Sequence, residues 1–440
     1  MEAVIMAGGK GTRLGAIAAE IPKPMVRIAG KPVLQHQIEN LTRCGITDIY
    51  LVIGHLGQVI KDYFGDGSAL GAKIRYIEEE APLGTAGALF YLKDRIGRDA
   101  DAFLLLYGDV FLDVDFGRFV RFHKDKKAIA TLFVHPNSHP YDSDLVVHDA
   151  AGRVIGWDSK QNKRDYDYQN CVNAALYVFS GAVFASFAAL GAPVRMDLEK
   201  DVLIPMIREG QAVFAYRSTE YVKDMGTPDR LEAVSRDYAA GVCRARNLAN
   251  PQRCIFLDRD GTINRHVGFI TRPEQVELLP GAAEAIKMIN QSPYLCIVVT
   301  NQPVLARGDC TVQELDAVHR RLETLLGAAG AYIDDLFYCP HHPDKGFPGE
   351  VPELKIVCNC RKPAPGLVEA AAARYNIDLP ASFMIGDTTQ DILMGRRAGL
   401  KTVLVKTGEQ GKDGKYAAVP HAEGEDLREA VALILNGKVG

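Results

Sequence analysis

Two aspartates, Asp258 and Asp260, close the apolar run of CIFLDRDGTIN. With a turn at Asp260–Gly261, both carboxylates can reach one site. A carboxylate can attack phosphorus once a cation offsets its charge, and a second one can protonate the departing oxygen. Three later segments carry partners for that chemistry. VVTNQ ends in Thr300 and Asn301, small donors suited to phosphate oxygens. RKPAPG places Lys362 just before a helix with proline in its first turn, a good position for an anion-facing cation. MIGDTTQD ends in Asp387, with Asp391 four residues on. Singly, each is an ordinary turn, cap or surface charge. In this order, at strand ends, they read as one phosphate site.

A second cluster precedes Lys362. The stretch CPHHPDKGFPGEVPELKIVCNCRKP holds Cys339, the adjacent His341 and His342, Cys358 and Cys360, in a loop rich in proline and glycine. Three thiolates and one imidazole fill a tetrahedral zinc shell and leave no place for water, so such a metal is structural. It would fix Arg361 and Lys362 relative to the phosphate. The other six cysteines are scattered and do not form a disulfide framework, which points to a reduced, cytoplasmic protein.

The first half offers different chemistry. MAGGKGTRLG follows the first apolar run at once. Gly8, Gly9 and Gly11 let the backbone approach a phosphate chain, and the amides with Arg13 offset its charge. The spacing is not that of a dinucleotide loop. IPKPMV adds Lys23 in a proline-stiffened segment. EEEAPLGTAGAL, from Glu78 to Leu89, is an acidic stretch and a glycine-rich turn into a helix, able to meet a base edge. LLLYGDVF ends a buried strand with Asp109, and YVKDMGTPDRL offers Asp224. Two such carboxylates can share one Mg²⁺ that also holds phosphates.

The elements that must position these residues alternate short apolar strands with amphipathic helices, the pattern of parallel α/β sheets. AVIM, DIYLVI, AFLLLY and AIATLFV predict strands in the first half, and CIFLD, LCIVVT, DDLFYC, SFMIGD and KTVLVK in the second. PVLQHQIENLTRCG, FGRFVRFHKDKK and TVQELDAVHRRLETLLGAAG predict helices. No flexible tract separates the halves, so two abutting domains are expected: 1–240, a linker at 241–252, and 253–440. With 440 residues, 47% hydrophobic and 24% charged, the chain has material for two cores. A net charge of −4 argues against a nucleic-acid surface. No apolar run approaches the roughly 18 residues of a membrane helix.

DRDGT, TNQ, RKPAPG and GDTTQD resemble the four signature motifs of the haloacid dehalogenase superfamily of phosphatases. The resemblance implies Asp258 as nucleophile, Asp260 as general acid/base, and Thr300 and Lys362 as phosphoryl holders. It implies Mg²⁺ on Asp258, the Asp260 carbonyl and Asp387, with Asn301, Arg307 and Arg361 near the substrate. Together with CPHH and CNCRKP, residues 252–410 are similar to the D-glycero-D-manno-heptose 1,7-bisphosphate phosphatase branch. That pattern selects His341 as the zinc ligand beside Cys339, Cys358 and Cys360. The chain departs from it at Pro303, Val304, Leu305 and Thr388.

Residues 1–235 resemble the sugar-phosphate nucleotidyltransferases, through GGKGTRL, PKP, PLGTAGAL and GD. The resemblance makes Gly8, Gly9, Gly11, Thr12, Arg13 and Lys23 the nucleotide loop, with Arg13 and Lys23 catalytic. It adds Glu78, Gly84 and Thr85 for the base, and Asp109 and Asp224 for Mg²⁺. Asn173, Glu199 and Lys160 become sugar-phosphate contacts. PLGTAGAL is most like the guanylyltransferases of the mannose and heptose type. The implied fold class is α/β: two three-layer α/β/α domains, a Rossmann-like transferase and a Rossmannoid phosphatase with a zinc loop. The implied partners are heptose phosphates and GTP, and the sequence is compatible with a homo-oligomer. A phosphatase yielding heptose 1-phosphate beside an enzyme that consumes it makes a bifunctional reading coherent. The alternatives are a mannose-type transferase with a different phosphatase, or one catalytically silent half.

Overall fold

The computed structural model describes residues 1–9, 21–188 and 190–440. Gly11, Thr12 and Arg13 of the expected nucleotide loop lie outside the described residues. The described chain divides into two compact units. One comprises Met1–His135, Asp144–Ser159 and Val172–Asn247, and the other Pro136–Ser143, Lys160–Cys171 and Leu248–Gly440.

The first unit is built on a nine-stranded sheet. Its strands are β1 (Glu2–Met6), β2 (Asp48–Ile53), β3 (Lys73–Glu78), β4 (Phe103–Tyr107), β5 (Ala130–His135), β6 (Leu145–His148), β7 (Val154–Asp158), β8 (Val172–Phe179) and β9 (Val213–Arg217). The order is β7-β6-β8-β4-β1-β2-β3, with β5 on β8 and β9 on β5. β1 lies parallel to β2 and β4, with Ala3 opposite Ile49 and Leu104. The sheet is mixed, unlike the parallel one expected: β8 runs antiparallel to both β4 and β5. No helix occurs in residues 159–171, so no crossover brings the chain back in parallel before β8.

Helix α1 (Val33–Arg43) buries Leu34, Ile38 and Leu41, spaced to share one helical face. They pack against Ile5, Leu51 and Leu104 of the sheet, with Ile60 and Phe64 of α2 (Gly57–Phe64) and Phe116 and Phe119 of α3 (Phe116–Asp125); α4 (Pro228–Ala239) follows the last strand. Strand order reverses at β1, whose neighbours β2 and β4 lie on opposite sides. In open α/β sheets the crevice beyond such strand ends receives the ligand. Gly8 follows β1 there, and Asp109 follows β4.

The second unit has six strands: β10 (Arg253–Leu257), β11 (Tyr294–Asn301), β12 (Asp335–Cys339), β13 (Phe383–Gly386), β14 (Lys401–Val405) and β15 (Ala422–Gly424). All pair in parallel, in the order β12-β11-β10-β13-β14-β15. Alternation along the strands sends side chains to two cores. Ile255, Leu257 and Val298 meet α5 (Ala282–Asn290), α6 (Val312–Ala328) and a C-terminal helix, Leu427–Leu435. Phe256, Ile297, Val299 and Met384 meet α7 (Gly366–Tyr375) and α8 (Thr389–Arg397). This gives three layers, with the reversal of strand order between β10 and β13.

Two stretches from the first half of the sequence complete this unit along α6. The Tyr168 amide donates to Thr324 Oγ1 at 2.9 Å, and the Asn170 amide to Glu323 Oε2 at 2.5 Å. Pro140 packs against Gly327. Among the described residues no helix is long and apolar enough to cross a membrane.

Phe256 is fully buried at the centre of the β10–α7 core. Phe256→Ala is expected to destabilise the second unit by about 3–5 kcal/mol, read as a lower denaturation midpoint with an unchanged slope.

Candidate active sites

In the second unit the ends of β10 and β13 bring four charged side chains together. Asp258 follows β10, and its amide donates to the Ile385 carbonyl of β13 at 3.0 Å. Lys362 Nζ lies 2.7 Å from Asp258 Oδ1 and 2.6 Å from Asp391 Oδ1, with only 4% of its side chain exposed. Asp391 sits in the first turn of α8, where Thr388 caps the helix by accepting its amide and donates its own hydroxyl to Asp391 Oδ2 at 2.5 Å. Carboxylate oxygens of Asp258, Asp387 and Asp391 all lie within 4.8 Å of one another.

Burial dominates the titration of this group. It pushes Asp258 up to about 7 against the pull of Lys362, and Asp387 up to about 8 with help from the charges of Asp258 and Asp391. Burial alone would lower Lys362, but Asp258 and Asp391 outweigh it and hold the ammonium above its usual range. Asp387 Oδ2 accepts the Glu409 amide at 2.8 Å, while Oδ1 is buried without a hydrogen-bond partner. An orphaned buried oxygen in a set of three carboxylates fits a hard divalent cation, which oxygen ligands hold.

The side chain of Asp260 is held apart from those three. Its carboxylate takes bonds from Arg259, Asn264 and Gln302. Burial alone would raise it, but the Arg259 guanidinium outweighs burial and keeps it below the usual carboxylate range. Gly261 makes the turn at φ +82°, and a side chain there would collide with Asp387 Oδ2. Thr300 is 1% exposed, and its Oγ1 accepts from Gln302 Nε2 at 3.0 Å, so its hydroxyl proton remains available to a phosphate oxygen. Asn301 is a clamp: its Oδ1 accepts the Lys362 amide at 3.0 Å and its Nδ2 donates to the Lys362 carbonyl at 3.2 Å. Its amide therefore positions the lysine. The Arg307 guanidinium lies between the rings of Phe269 and Phe347, at 4.5 and 4.2 Å, with Nε on Asp309.

The cysteine loop closes on itself. Cys339 Sγ lies 3.6 Å from Cys358 Sγ and 3.3 Å from Cys360 Sγ; Cys358 and Cys360 are 3.2 Å apart. His341 Nδ1 lies 3.2 Å from Cys360 Sγ and 3.7 Å from Cys339 Sγ. A tetrahedral zinc with its usual bond lengths needs edges of about 3.5–3.8 Å, so this donor set fits that ion with a small expansion. His342 turns elsewhere, its Nδ1 accepting the Asp344 amide at 3.2 Å. The loop reaches the phosphate site through Arg361, which donates to the His341 carbonyl at 3.1 Å, and so to Lys362.

In the first unit Lys23 Nζ, from a single 3-10 turn (Lys23–Met25), lies 2.8 Å from Asp109 Oδ2, which follows β4. A two-stranded ribbon sets Asp224 opposite Val110, one residue past Asp109. Asp224 pairs with Arg230, and Thr227 is the helix cap. Glu78 points outward to Lys61 at 2.6 Å. Its neighbour Glu79 is the one that lies beside the glycines: a Cβ on Gly8 would lie 2.8 Å from Glu79 Oε2, and Oε1 accepts the Leu83 amide. A Cβ on Gly9 would meet none of the described residues. Gly84, at φ +78°, lies against the Met196 carbonyl, and Thr85 Oγ1 accepts the Leu198 amide at 2.7 Å. That contact anchors Glu199, whose Oε1 accepts from Tyr177 at 2.8 Å and Tyr107 at 3.0 Å. Asn173 Nδ2 donates to Tyr177, and its Oδ1 is buried and unpartnered. Lys160 is exposed and belongs to the stretch that completes the second unit.

Residues 2–241, over half the chain, match the nucleotidyl transferase family, and residues 359–430 match the HAD-hydrolase-like family, so the chain belongs to the nucleotidyltransferases through its first half and to the haloacid-dehalogenase-like hydrolases through its second. Both halves are enzymes, a nucleotidyltransferase and a phosphatase. The second half is 38% identical over 191 residues to the D-glycero-D-manno-heptose-1,7-bisphosphate 7-phosphatase of Thermosynechococcus vestitus, covering 42% of this chain and 96% of that protein. The first is 32% identical over 243 residues to the mannose-1-phosphate guanylyltransferase of Mycobacterium tuberculosis, covering 55% of this chain and 66% of that protein. Among solved structures, a D,D-heptose 1,7-bisphosphate phosphatase from B. bronchiseptica, complexed with magnesium and phosphate, is 32% identical, with a TM-score of 0.37, over 42% of this chain and 99% of that one.

The buried carboxyls set a pH dependence. In the folded state Asp258 and Asp387 keep protons to about pH 7 and 8 that an unfolded chain loses near 4. Without metal, stability therefore falls as pH rises through that window. Mg²⁺ competes with those protons, so the melting-temperature gain on adding Mg²⁺ is expected to be larger at pH 8 than at pH 6. An equal gain at both would contradict the assignment. For the cysteine loop, Cys358→Ser is expected to lose bound zinc by elemental analysis and to raise the KM of the phosphatase more than it lowers kcat.

Proposed function

We propose that the chain catalyses two consecutive steps. The second unit removes the 7-phosphate of D-glycero-D-manno-heptose 1,7-bisphosphate. The first transfers GMP from GTP to the resulting heptose 1-phosphate and releases pyrophosphate. The observation that carries this reading is the buried group of Asp258, Lys362, Asp387 and Asp391 at the strand ends, in a sequence matching nearly the full length of a heptose bisphosphatase. Its product has the free 1-phosphate that the partner reaction requires, which supports heptose as the transferase's sugar.

In the phosphatase, Asp258 attacks phosphorus while Lys362 and Thr300 hold the phosphoryl oxygens. The phosphorus–oxygen bond to the sugar breaks; for this step Asp260 must first take up a proton against the pull of Arg259, and it passes that proton to the departing oxygen. Asp260 then takes a proton from the water that hydrolyses the aspartyl-phosphate. Bound Mg²⁺ supplies charge neutralisation at Asp258, Asp387 and Asp391. In the transferase, the sugar 1-phosphate oxygen attacks the α-phosphorus in line. Lys23 and Arg13 offset the charge that develops, and Asn173 and Glu199 hold the sugar. Asp109 and Asp224 would hold a second Mg²⁺ on the triphosphate. Zinc on Cys339, His341, Cys358 and Cys360 orders the loop that carries Arg361 and Lys362.

The mannose-1-phosphate guanylyltransferase relatives favour a second reading of the first half, with mannose 1-phosphate as acceptor. A coupled assay separates the two. Heptose bisphosphate, GTP and Mg²⁺ are expected to yield phosphate, pyrophosphate and GDP-heptose. Phosphate without nucleotide-sugar, together with GDP-mannose from mannose 1-phosphate, would select the second reading. Asp258→Asn is expected to lower phosphate release by at least about 10³-fold and spare the transferase. Asp109→Asn is expected to do the reverse.

A further inference from the structure

One phenol hydroxyl joins the two side chains assigned to the transferase's sugar. Tyr177 lies on β8 and is fully buried. Its oxygen accepts from Asn173 Nδ2 at 2.8 Å and donates to Glu199 Oε1 at 2.8 Å. Tyr107, the last residue of β4, donates to the same Oε1 at 3.0 Å. Asn173 and Tyr177 are four residues apart, a separation that an even strand would stretch to about 13 Å. The ladder slips between them instead. Asn173 pairs with Val134 and Tyr177 with Leu132, so four steps on β8 answer two on β5. Ala175 makes the bulge at φ +55°, in the left-handed region that a residue with a side chain rarely adopts. Strain of this kind persists where the surrounding arrangement requires it.

The direction of each bond follows from the count of protons. A tyrosine hydroxyl has one. Tyr177 gives it to Glu199, because a carboxylate only accepts, so toward Asn173 the same oxygen is an acceptor. That turns the Asn173 NH2 inward and leaves Oδ1 as its other end, buried and without a partner. Both tyrosine protons fall on Glu199 Oε1, and Oε2 takes no bond from another described residue. The two side chains therefore offer acceptors alone. Packing does not account for the hydroxyls. Phenylalanines would fill the same space without a desolvated carboxylate beside them, which is unfavourable. Burial raises the proton affinity of Glu199, and the hydroxyls of Tyr177 and Tyr107 pull the other way.

We propose that Tyr177 is a positioning residue for the transferase: its one proton sets the facing of both Asn173 and Glu199, so that the site reads a pair of hydroxyl donors on the sugar phosphate. Tyr107 supports Glu199 alone. The proposal rests on the transferase reading above and adds to it the feature of the sugar that is recognised. Neither tyrosine makes or breaks a bond in the reaction.

The test is steady-state kinetics of the full chain with GTP and Mg²⁺, on heptose 1-phosphate, mannose 1-phosphate and the mono-deoxy analogues of whichever is accepted. The unaltered chain is expected to lose about 10-fold or more in kcat/KM when a hydroxyl is missing at either of two positions, the scale of a hydrogen bond lost from a charged or buried acceptor. Tyr177→Phe keeps the ring and removes the hydroxyl. It is expected to raise the KM for the parent sugar 1-phosphate by about 10-fold and to leave the KM for GTP within about 2-fold. It is also expected to shrink the discrimination at both positions to about 3-fold or less. Tyr107→Phe is expected to shrink it at one position only. A looser fold would weaken parent and analogues alike and preserve their ratios. Preserved ratios in Tyr177→Phe, the same pattern in both variants, or indifference of the unaltered chain to every deoxy analogue would overturn the proposal. No nucleotide-sugar from either parent sugar in the unaltered chain would instead overturn the transferase reading.

Discussion

One buried ammonium sets the terms for the second unit. Lys362 stands within 2.7 Å of Asp258 and 2.6 Å of Asp391, and almost none of it reaches solvent. Carboxylates so deeply desolvated repel one another strongly unless a cation lies among them. The lysine is accordingly held from three sides. Asn301 grips its backbone, Arg361 links it to the cysteine loop, and Asp391 meets it from the first turn of α8. Asn301 ends β11 and Asp391 follows β13, so the parallel sheet brings residues far apart in sequence to one ion.

The two units solve the same problem with different charge patterns. Each places its ligands where strand order reverses, beyond β1 and β4 or beyond β10 and β13. Among the described residues the transferase crevice pairs Lys23 with a half-exposed aspartate, Asp109. Such a site suits a substrate that brings its own phosphates and leaves without covalent attachment. The phosphatase site concentrates acids, as a carboxylate nucleophile demands.

Much of this was legible in the sequence because both sites sit at the ends of apolar runs. CIFLD, LCIVVT, SFMIGD and AFLLLY each form a strand and deliver Asp258, Thr300, Asp387 and Asp109 to a sheet edge. The strands not legible as such were β3, β6, β7, β8, β9 and β15, most of them short or alternating segments such as KIRYIE, where only every second or third residue is apolar. β3 and β9 pair with β2 and β5, partners distant in sequence that no local pattern encodes, while β6 and β7 form a short local hairpin. At the sites, Asp391 was visible as a residue four past Asp387, but its place beside Lys362 depends on the Thr388 cap turning α8 toward the cluster. Glu79 and Glu78 are indistinguishable in EEEAPLGT; only pairing of β3 with β2 decides which one faces Gly8. Arg259 and Gln302 carried no signal beyond their neighbours, because their roles lie in hydrogen-bond directions.

The cysteine loop has one more consequence, in the language of redox chemistry. Sulfurs 3.2–3.6 Å apart suit a metal shell, and they are also close enough that oxidation needs little movement to join two of them. Metal and disulfide are mutually exclusive there, because a sulfur oxidised into a disulfide is no longer the thiolate that a zinc ion binds. Since the loop leads directly into Arg361 and Lys362, an oxidant that strips the thiolates disturbs the phosphatase at its central cation. The first unit has no comparable cluster of thiols among its described residues, so the contact at which oxidation and metal compete belongs to the phosphatase half.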